Sequence, residues 1–334
     1  MADIQETEIS EEGNKKEKIA SITRDKDIRQ QLSKLYDEIH KIIIGYDEVI
    51  ENVLIALFSN GHVLLESVPG MGKTMMTKTI AETLECDFKR IQCTPDVTAT
   101  DILGGVHYDK ETGEYKIVKG PIFTNILLVD EINRAQPKTQ SALLEAMEEK
   151  RVTLGGKTMP LPEPFIVLAT QNPIEQEGTF PLPEAQKDRF LFKTVLSYLS
   201  DEEEIMIMKS KLKTEKIEKV FNPAEILIIQ KEIEENVFVS DSVLEYAVKI
   251  VEETRKRKEL ISGASPRASI AFMKTAKTKA FLEGRNYVTP SDIRKLAFPI
   301  LRHRIILYPE YYEMRVTEDD IIAKILQKVE APVV

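Results

Sequence analysis

Ser67-Val68-Pro69-Gly70-Met71-Gly72-Lys73-Thr74 stands between an apolar run, Val63-Leu64-Leu65, and a stretch of helix-forming residues. That order reads as a strand, a Gly-rich turn and a helix that begins where the turn ends. A turn closing in Gly-Lys-Thr is suited to cradle phosphates. Gly70 and Gly72 let backbone N–H groups turn inward toward anionic oxygens. The helix starting near Lys73 adds unpaired N–H groups and the positive end of its dipole. Lys73 can reach β- and γ-phosphates, and the Thr74 hydroxyl suits Mg²⁺. The expected contacts to a nucleotide are Pro69, Gly70, Met71, Gly72, Lys73, Thr74 and Met75. The usual pattern opens with Gly, where Ser67 stands here. Taken alone, the string also fits an ordinary Gly-rich turn.

A second stretch narrows that choice. Ile126-Leu127-Leu128-Val129-Asp130-Glu131 is an apolar run ending in two carboxylates. Such a run suits a strand buried on both faces of a parallel sheet. Ligands of these sheets sit beyond the C-terminal strand ends, so Asp130 and Glu131 are expected to share an edge with the phosphate loop. Asp130 suits the outer shell of Mg²⁺, and Glu131 suits a base that polarises an attacking water. The competing reading is a strand followed by an acidic helix cap.

Composition sets the frame. A chain of 334 residues suggests about two domains at roughly 150 residues each. With 46 basic and 55 acidic residues the net charge is −9. A dedicated nucleic-acid binder carries an overall positive field instead. Cys86 and Cys93 are too few for a disulfide framework and are expected to pack as small apolar side chains. His40, His62, His107 and His303 are scattered, with no pair at i, i+4 and no Cys-x-x-Cys, so a protein-ligated transition metal is not expected. No run reaches the ~20 apolar residues of a membrane span, and the N-terminus has no signal core. The expectation is a cytoplasmic protein without membrane insertion.

Residues 1–26 are polar and charged and read as a mobile tail. Ile28, Leu32, Leu35 and Ile39 then recur at helical spacing. The apolar link Ile42-Ile43-Ile44-Gly45 leads to a second helix carrying Val49, Ile50, Val53, Leu54 and Leu57. Five strand candidates follow, at 62–66, 88–92, 126–130, 165–170 and 191–195, mostly separated by helical segments. The alternation predicts a parallel α/β sheet. Two excursions interrupt it. Residues 104–122 hold a Thr112-Gly113 turn between strand-like pieces. Residues 151–161 turn at Gly155-Gly156 in the manner of a β-hairpin. Beyond about residue 200 the pattern is helical throughout, with cap signals at Thr289-Pro290-Ser291-Asp292 and Thr317-Glu318-Asp319-Asp320. The domains expected are an α/β nucleotide-binding unit over 27–198 and a helical lid over 199–334.

Longer strings carry a family resemblance. These are Asp130-Glu131-Ile132-Asn133-Arg134-Ala135, Gln171-Asn172-Pro173-Ile174-Glu175-Gln176-Glu177-Gly178-Thr179, Leu182-Pro183-Glu184-Ala185-Gln186-Lys187-Asp188-Arg189-Phe190 and Gly263-Ala264-Ser265-Pro266-Arg267-Ala268-Ser269. Together they resemble the signature of the MoxR family of AAA+ ATPases over most of residues 30–305. Lys187 departs from it, at a position usually apolar. The resemblance implies a P-loop NTPase fold: a five-stranded parallel sheet with flanking helices, a helix-2 insertion, a pre-sensor-1 hairpin and an all-α lid. It implies ATP and Mg²⁺ as ligands.

The resemblance also assigns roles. Asn172, ending the fourth strand and expected beside the second, would orient a water or the γ-phosphate; the alternative is a turn-forming Asn before Pro173. Arg189 would act as a finger toward a neighbouring subunit's nucleotide; the alternative is a surface pair with Asp188. Arg267 would be the lid arginine that meets the γ-phosphate, a contact that a neighbouring subunit can also supply in the branch carrying both insertions; the alternative is a surface Arg at a helix N-terminus. Ile44 and Gly45, with Ile43, resemble the segment packed near adenine. Lys110, Lys116, Lys119, Arg151 and Lys157 lie in or beside the two excursions, as client contacts or as ordinary solvated charges.

The function implied is ATP hydrolysis by a homo-oligomer, a hexameric ring, acting as a chaperone-like remodeller or maturation factor. Its implied partners are a protein bearing a von Willebrand factor A domain and a client enzyme that receives a cofactor or metal. Two other classes stay open at this point, a nucleic-acid-stimulated motor and a nucleotide-gated scaffold. The acidic balance counts against the first, and the intact Asp130-Glu131 pair against the second.

Overall fold

The computed structural model describes residues 28, 30–172, 178–210 and 216–333. The tail at 1–26 and the motif residues 173–177 lie outside them. Helix α1 covers 30–40, and α2 spans Asp47–Phe58. Leu32, Leu35 and Ile39 are buried, as their spacing predicts.

The α/β part follows in the expected order. Strands β1 (Val63–Ser67) and β2 (Phe88–Gln92) flank helix α3 (Lys73–Thr83). Helix α4 (Ala99–Leu103) leads into an antiparallel hairpin, β3 (Gly104–Asp109) and β4 (Glu114–Lys119). Then come β5 (Ile126–Asp130), a 3-10 turn at Ile132–Arg134 and helix α5 (Pro137–Glu149). The second hairpin is β6 (Arg151–Leu154) with β7 (Lys157–Pro160). Strand β8 (Ile166–Gln171), the short α6 (Glu184–Lys187) and β9 (Phe192–Leu196) complete this part. All five strand candidates are present, three of them shifted by one residue. They form one parallel sheet in the order β2-β5-β8-β1-β9.

Alternate residues of the central strands face opposite layers. Val63, Leu65, Ile126, Leu128, Ile166 and Leu168 join the core that includes α2, α3 and the C-terminal helices. Leu64, Leu127, Val129, Val167 and Ala169 join a second core with Leu143, Leu144 and Met147 of α5. Every residue of β5 is buried. The edge strand β2 carries exposed Lys89 and Arg90, a common guard against edge pairing.

The remainder is helical: α7 (Asp201–Ser210), α8 (Pro223–Asn236), α9 (Asp241–Arg255), α10 (Pro266–Leu282), α11 (Pro290–Leu301), α12 (Pro309–Glu313) and α13 (Glu318–Lys328). The two cap signals are realised as capping boxes, Thr289 with Asp292 and Thr317 with Asp320. One feature departs from the all-helical reading. A small antiparallel pair, β10 (Leu260–Ser262) and β11 (Ile306–Leu307), ties the loop after α9 to the loop after α11. Two- and three-residue strands are too short to leave a period-two pattern. Cys86 and Cys93 are free and buried, and burial pushes both thiols up to about 12.

Two buried histidines hold this framework. His62 Nδ1 accepts from the Val167 N–H at 3.0 Å, and Nε2 donates to Met147 O at 3.3 Å. Both nitrogens of the neutral ring are thereby used, and full burial pushes the pKa down to about 4. His303 Nε2 donates to Phe190 O at 2.9 Å. Burial first, and the Arg304 charge second, hold it well below 6.5. Unfolded histidines take up protons as pH falls through ~6.5, while these two resist. Their contribution to stability is therefore complete above that value and is lost as pH falls toward the folded pKa. Between pH 7 and pH 5, His62 alone should account for about 2 kcal/mol of lost stability. Urea unfolding at the two pH values checks this, and His62→Gln should shrink the difference by about that amount. A midpoint indifferent to pH in the unaltered protein contradicts it.

Candidate functional site

Strand order sets the working edge. β1, β8 and β5 are parallel neighbours, so their C-terminal ends open on one side. There Ser67 leads into the loop, Gln171 into Asn172, and Asp130 into Glu131. The expectation that the fourth strand lies beside the second is corrected. β8 lies between the first and third strands, and the second, β2, is at the sheet edge. Strand sequence alone does not reveal this crossover. Its effect is to set Asn172 between the loop and the acidic pair.

Gly70 and Gly72 have φ of 86° and 74°. Nothing lies within 4 Å of where a Cβ would stand at either, so the demand for glycine is conformational rather than steric. Helix α3 starts at Lys73 without a side-chain cap. Its first N–H groups, at the positive end of the helix dipole, suit an anion. Lys73 Nζ donates to Ser67 Oγ at 2.6 Å and to Val68 O at 3.3 Å. Ser67, the departure from the usual pattern, thus holds the ammonium at the mouth of the loop. Partial burial lowers the Lys73 pKa, against the opposing pull of Asp130 and Glu131.

The acidic pair is held by residues that the motif does not announce. Asp130 is 5% exposed. Its Oδ1 accepts from Thr170 Oγ1 at 3.2 Å and its Oδ2 from Arg90 Nε at 2.7 Å. The Glu131 N–H donates to the same Thr170 hydroxyl at 2.9 Å. Glu131 has φ of 54°, a strained conformation of the kind that clusters at functional sites. Its Oε2 accepts from Arg134 Nη1 at 2.8 Å. Arg90 and Thr170 sit on other strands, so only the sheet register discloses them. Thr74 and Asp130 supply hard oxygen donors, the kind Mg²⁺ prefers. Asp130 already carries two protein bonds, which favours contact through water.

A cleft of about 550 Å³ continues from the loop. Ile44, Tyr46, Met75, Tyr198 and Met208 line it beside Gly70, Met71 and Gly72. Met75 is 54% exposed, and Tyr198 and Met208 are each 74% exposed. Such open apolar side chains suit a flat base. Tyr46, Tyr198 and Met208 escaped sequence reading because no motif marks them. Gly45 does not line the cleft. A Cβ on it would stand 2.6 Å from Glu203 Oε1 and 2.7 Å from Leu199 Cδ2, so it lets the 44–46 segment close against the start of α7.

Arg189 and Arg267 lie elsewhere. Phe192 pairs with Val63 at the N-terminal end of β1, and Arg189 precedes it by three residues. The length of β1, roughly 15 Å, separates that end from the phosphate-type loop. Arg189 Nη2 and Arg267 Nη2 both meet Glu148, at 3.1 and 3.0 Å. The alternative pairing of Arg189 with Asp188 is not what occurs. Asp188 takes Arg304 Nε at 2.7 Å and the Ser265 hydroxyl at 3.0 Å. Lys187 pairs with Glu184 at 3.1 Å on the surface of α6, which accommodates the departure there.

Residues 62–192 match the model of the ATPase family associated with various cellular activities (AAA), and residues 252–325 match an AAA lid domain. The chain is 43% identical to Chaperone MoxR1 of Mycobacterium tuberculosis over 305 residues, covering 88% of this chain and 81% of that protein. The chain belongs to the MoxR family of AAA+ ATPases. The uncharacterized protein YeaC of Bacillus subtilis is 46% identical over 310 residues, 92% of this chain and 97% of its own. A crystal structure of a Cytophaga hutchinsonii protein, provisionally named an ATPase, superposes with a TM-score of 0.89 at 40% identity, covering 95% and 99% of the two chains. The first match covers the five-stranded parallel sheet as far as the start of β9, and the second lies in the helical part. Among the described residues, no helix is long and apolar enough to cross a membrane.

If the 550 Å³ cleft takes the base, Tyr198→Ser should weaken binding of a fluorescent ATP analogue about tenfold, through roughly 1.4 kcal/mol of lost apolar and stacking contact. Unchanged affinity in an equilibrium titration rejects this cleft as the base site.

Proposed function

We propose that the protein binds ATP with Mg²⁺ at the edge formed by β1, β8 and β5 and hydrolyses it in a ring of like subunits. In this reading the ring works as a chaperone-like remodeller of protein complexes in the cytoplasm. The observation that carries it is the convergence of Lys73, Asn172, Asp130 and Glu131 on one sheet edge, with the two arginines at the other end.

The chemistry expected is in-line attack of water on the γ-phosphate. The α3 N-terminus and the Lys73 ammonium hold the phosphates, Lys73 exchanging its Ser67 and Val68 partners for them. Thr74 and Asp130 would hold Mg²⁺, which would supply charge neutralisation for the phosphates. The Glu131 carboxylate polarises the water, and Arg134 orients that carboxylate from three residues away. Thr170 keeps Asp130 and Glu131 in fixed relation through its single hydroxyl. The Asn172 amide orients the water or the phosphate.

Charge developing on the γ-phosphate calls for an arginine. Arg189 and Arg267 cannot supply it within the same subunit, across the length of a strand. A neighbour can, and this argues for a ring with shared sites; a hexamer is the form we favour. The relative called Chaperone MoxR1 supports remodelling of protein clients. A partner with a von Willebrand factor A domain, and insertion of cofactor or metal into client enzymes, complete the proposal.

Lys73→Ala should abolish measurable nucleotide binding, whereas Glu131→Gln should bind ATP and hydrolyse it at least ~100-fold more slowly, the scale of a positioned general base. Isothermal titration and phosphate release read the two properties separately. Tight binding by Lys73→Ala would refute the loop assignment.

Mixing Arg189→Ala subunits with Glu131→Gln subunits should restore part of the activity that each lacks alone. Mixed rings demonstrated by mass, yet inactive, would remove the role of Arg189 in trans.

A further inference from the structure

Glu148 stands near the end of α5 and holds both arginines at once. Its Oε2 pairs with Arg189 and its Oε1 with Arg267, one oxygen for each guanidinium. The three side chains come from separate elements: α5, the turn before β9, and the first turn of α10. They line a cavity of about 300 Å³ together with Lys150, Lys274 and Arg304. Five basic side chains and two carboxylates, Glu148 and Asp188, therefore share this cavity. Asp188 is already occupied by buried Arg304 and by Ser265. That leaves Glu148 as the anion between the two finger candidates.

We propose that Glu148 is a positioning residue that stands in for the terminal phosphate of a neighbouring subunit's nucleotide and is displaced by it on assembly. This rests on the reading of Arg189 and Arg267 as arginines acting in trans. Guanidinium forks donate to carboxylate and phosphate oxygens in the same way. Two guanidiniums close together repel unless an anion lies between them. Glu148 supplies that anion in the isolated subunit, so the pair is set at a spacing one anion can bridge before the ligand arrives. The side chains are 43%, 32% and 50% exposed for Glu148, Arg189 and Arg267. Pairs so open are weak, which lets a more highly charged phosphate take over. A fully buried pair could not exchange its partner at small cost. Arg267 begins a lid helix, while Arg189 and Glu148 belong to the α/β part. Displacement of Glu148 therefore also releases one tie between the two.

The test follows assembly rather than turnover. Sedimentation across a range of protein concentrations, with Mg²⁺ and a non-hydrolysable ATP analogue, compares the unaltered chain with Glu148→Gln. The concentration for half-assembly should fall about threefold to tenfold, the worth of two exposed ion pairs. The same comparison is made in an Arg189→Ala, Arg267→Ala background, at the higher concentrations that background needs. There the shift should vanish, because Glu148 acts only through the arginines. Weaker assembly of Glu148→Gln overturns the proposal, since Glu148 would then be a permanent brace. An unchanged half-assembly concentration overturns it as well, and so does a shift that persists without the arginines. Failure of the underlying reading looks different: Arg189→Ala, with Glu148 intact, would assemble and hydrolyse ATP like the unaltered chain.

Discussion

The constraint on which the rest depends is burial of the central strands on both faces. β5 has no exposed residue, and Val63, Leu64 and Leu65 of β1 are equally covered. A parallel sheet enclosed in this way has no lateral face on which to carry polar chemistry. Charged and hydroxyl groups are forced to the strand ends, and the two ends are a strand length apart. At one end stand the loop, Asn172, Asp130 and Glu131. At the other stand Arg189 and, from the lid, Arg267. A hydrolytic site that needs both sets cannot close within one subunit. The proposed ring would answer both the length of β1 and the demand for positive charge at a transferring phosphate.

The far end needs a firm mounting, and Arg304 provides it. This arginine is 8% exposed. It donates to the Asp188 carboxylate and to the carbonyls of Asp188, Phe190, Leu191 and Ile300, at distances from 2.6 to 3.3 Å. A buried charge so fully satisfied avoids the desolvation penalty that an unpaired one carries. Asp188 completes the junction by accepting from Ser265, the N-cap of α10. The residues next in sequence to Asp188 and one removed from Ser265 are Arg189 and Arg267. The same junction that docks the helices onto the sheet therefore fixes the two arginines side by side.

Legibility followed the range of the interactions. The loop, the acidic pair, the two hairpins and the helix caps depend on neighbours within a few residues, and each was readable from the chain. The position of Asn172 depended on strand order, which crossovers decide, and the reading that put its strand beside the second was wrong. Thr170 and Arg90 hold Asp130 from forty residues away in either direction. No local pattern marks a threonine near the end of a buried strand as a bridge between two carboxylate residues. Glu148 was invisible for the same reason. On α5 it reads as one more solvated helical carboxylate, and only the fold brings Arg189 and Arg267 to it. Gly45 was readable as a special position but not for its actual task, because the side chains it must clear, Leu199 and Glu203, lie beyond β9, the last strand of the five-stranded sheet.

Helix α5 connects these pieces. Its start is fixed to the turn after Glu131, where Gln140 Nε2 donates to Ile132 O, Ala135 O and Phe180 O. Its thirteen residues span about 20 Å. Its last turn carries Glu148, and the second hairpin, β6–β7, follows directly. That hairpin abuts the first: a Cβ on Gly155 would stand 2.6 Å from Val106 Cγ2 of β3. The first hairpin in turn exposes Tyr108 and Tyr115, paired across its strands at 5.3 Å. Leu143, Leu144 and Met147 pack one side of α5 into the second core. The edge that carries Glu131, the pair of arginines on Glu148 and the two hairpins are thus geometrically three stations along one element.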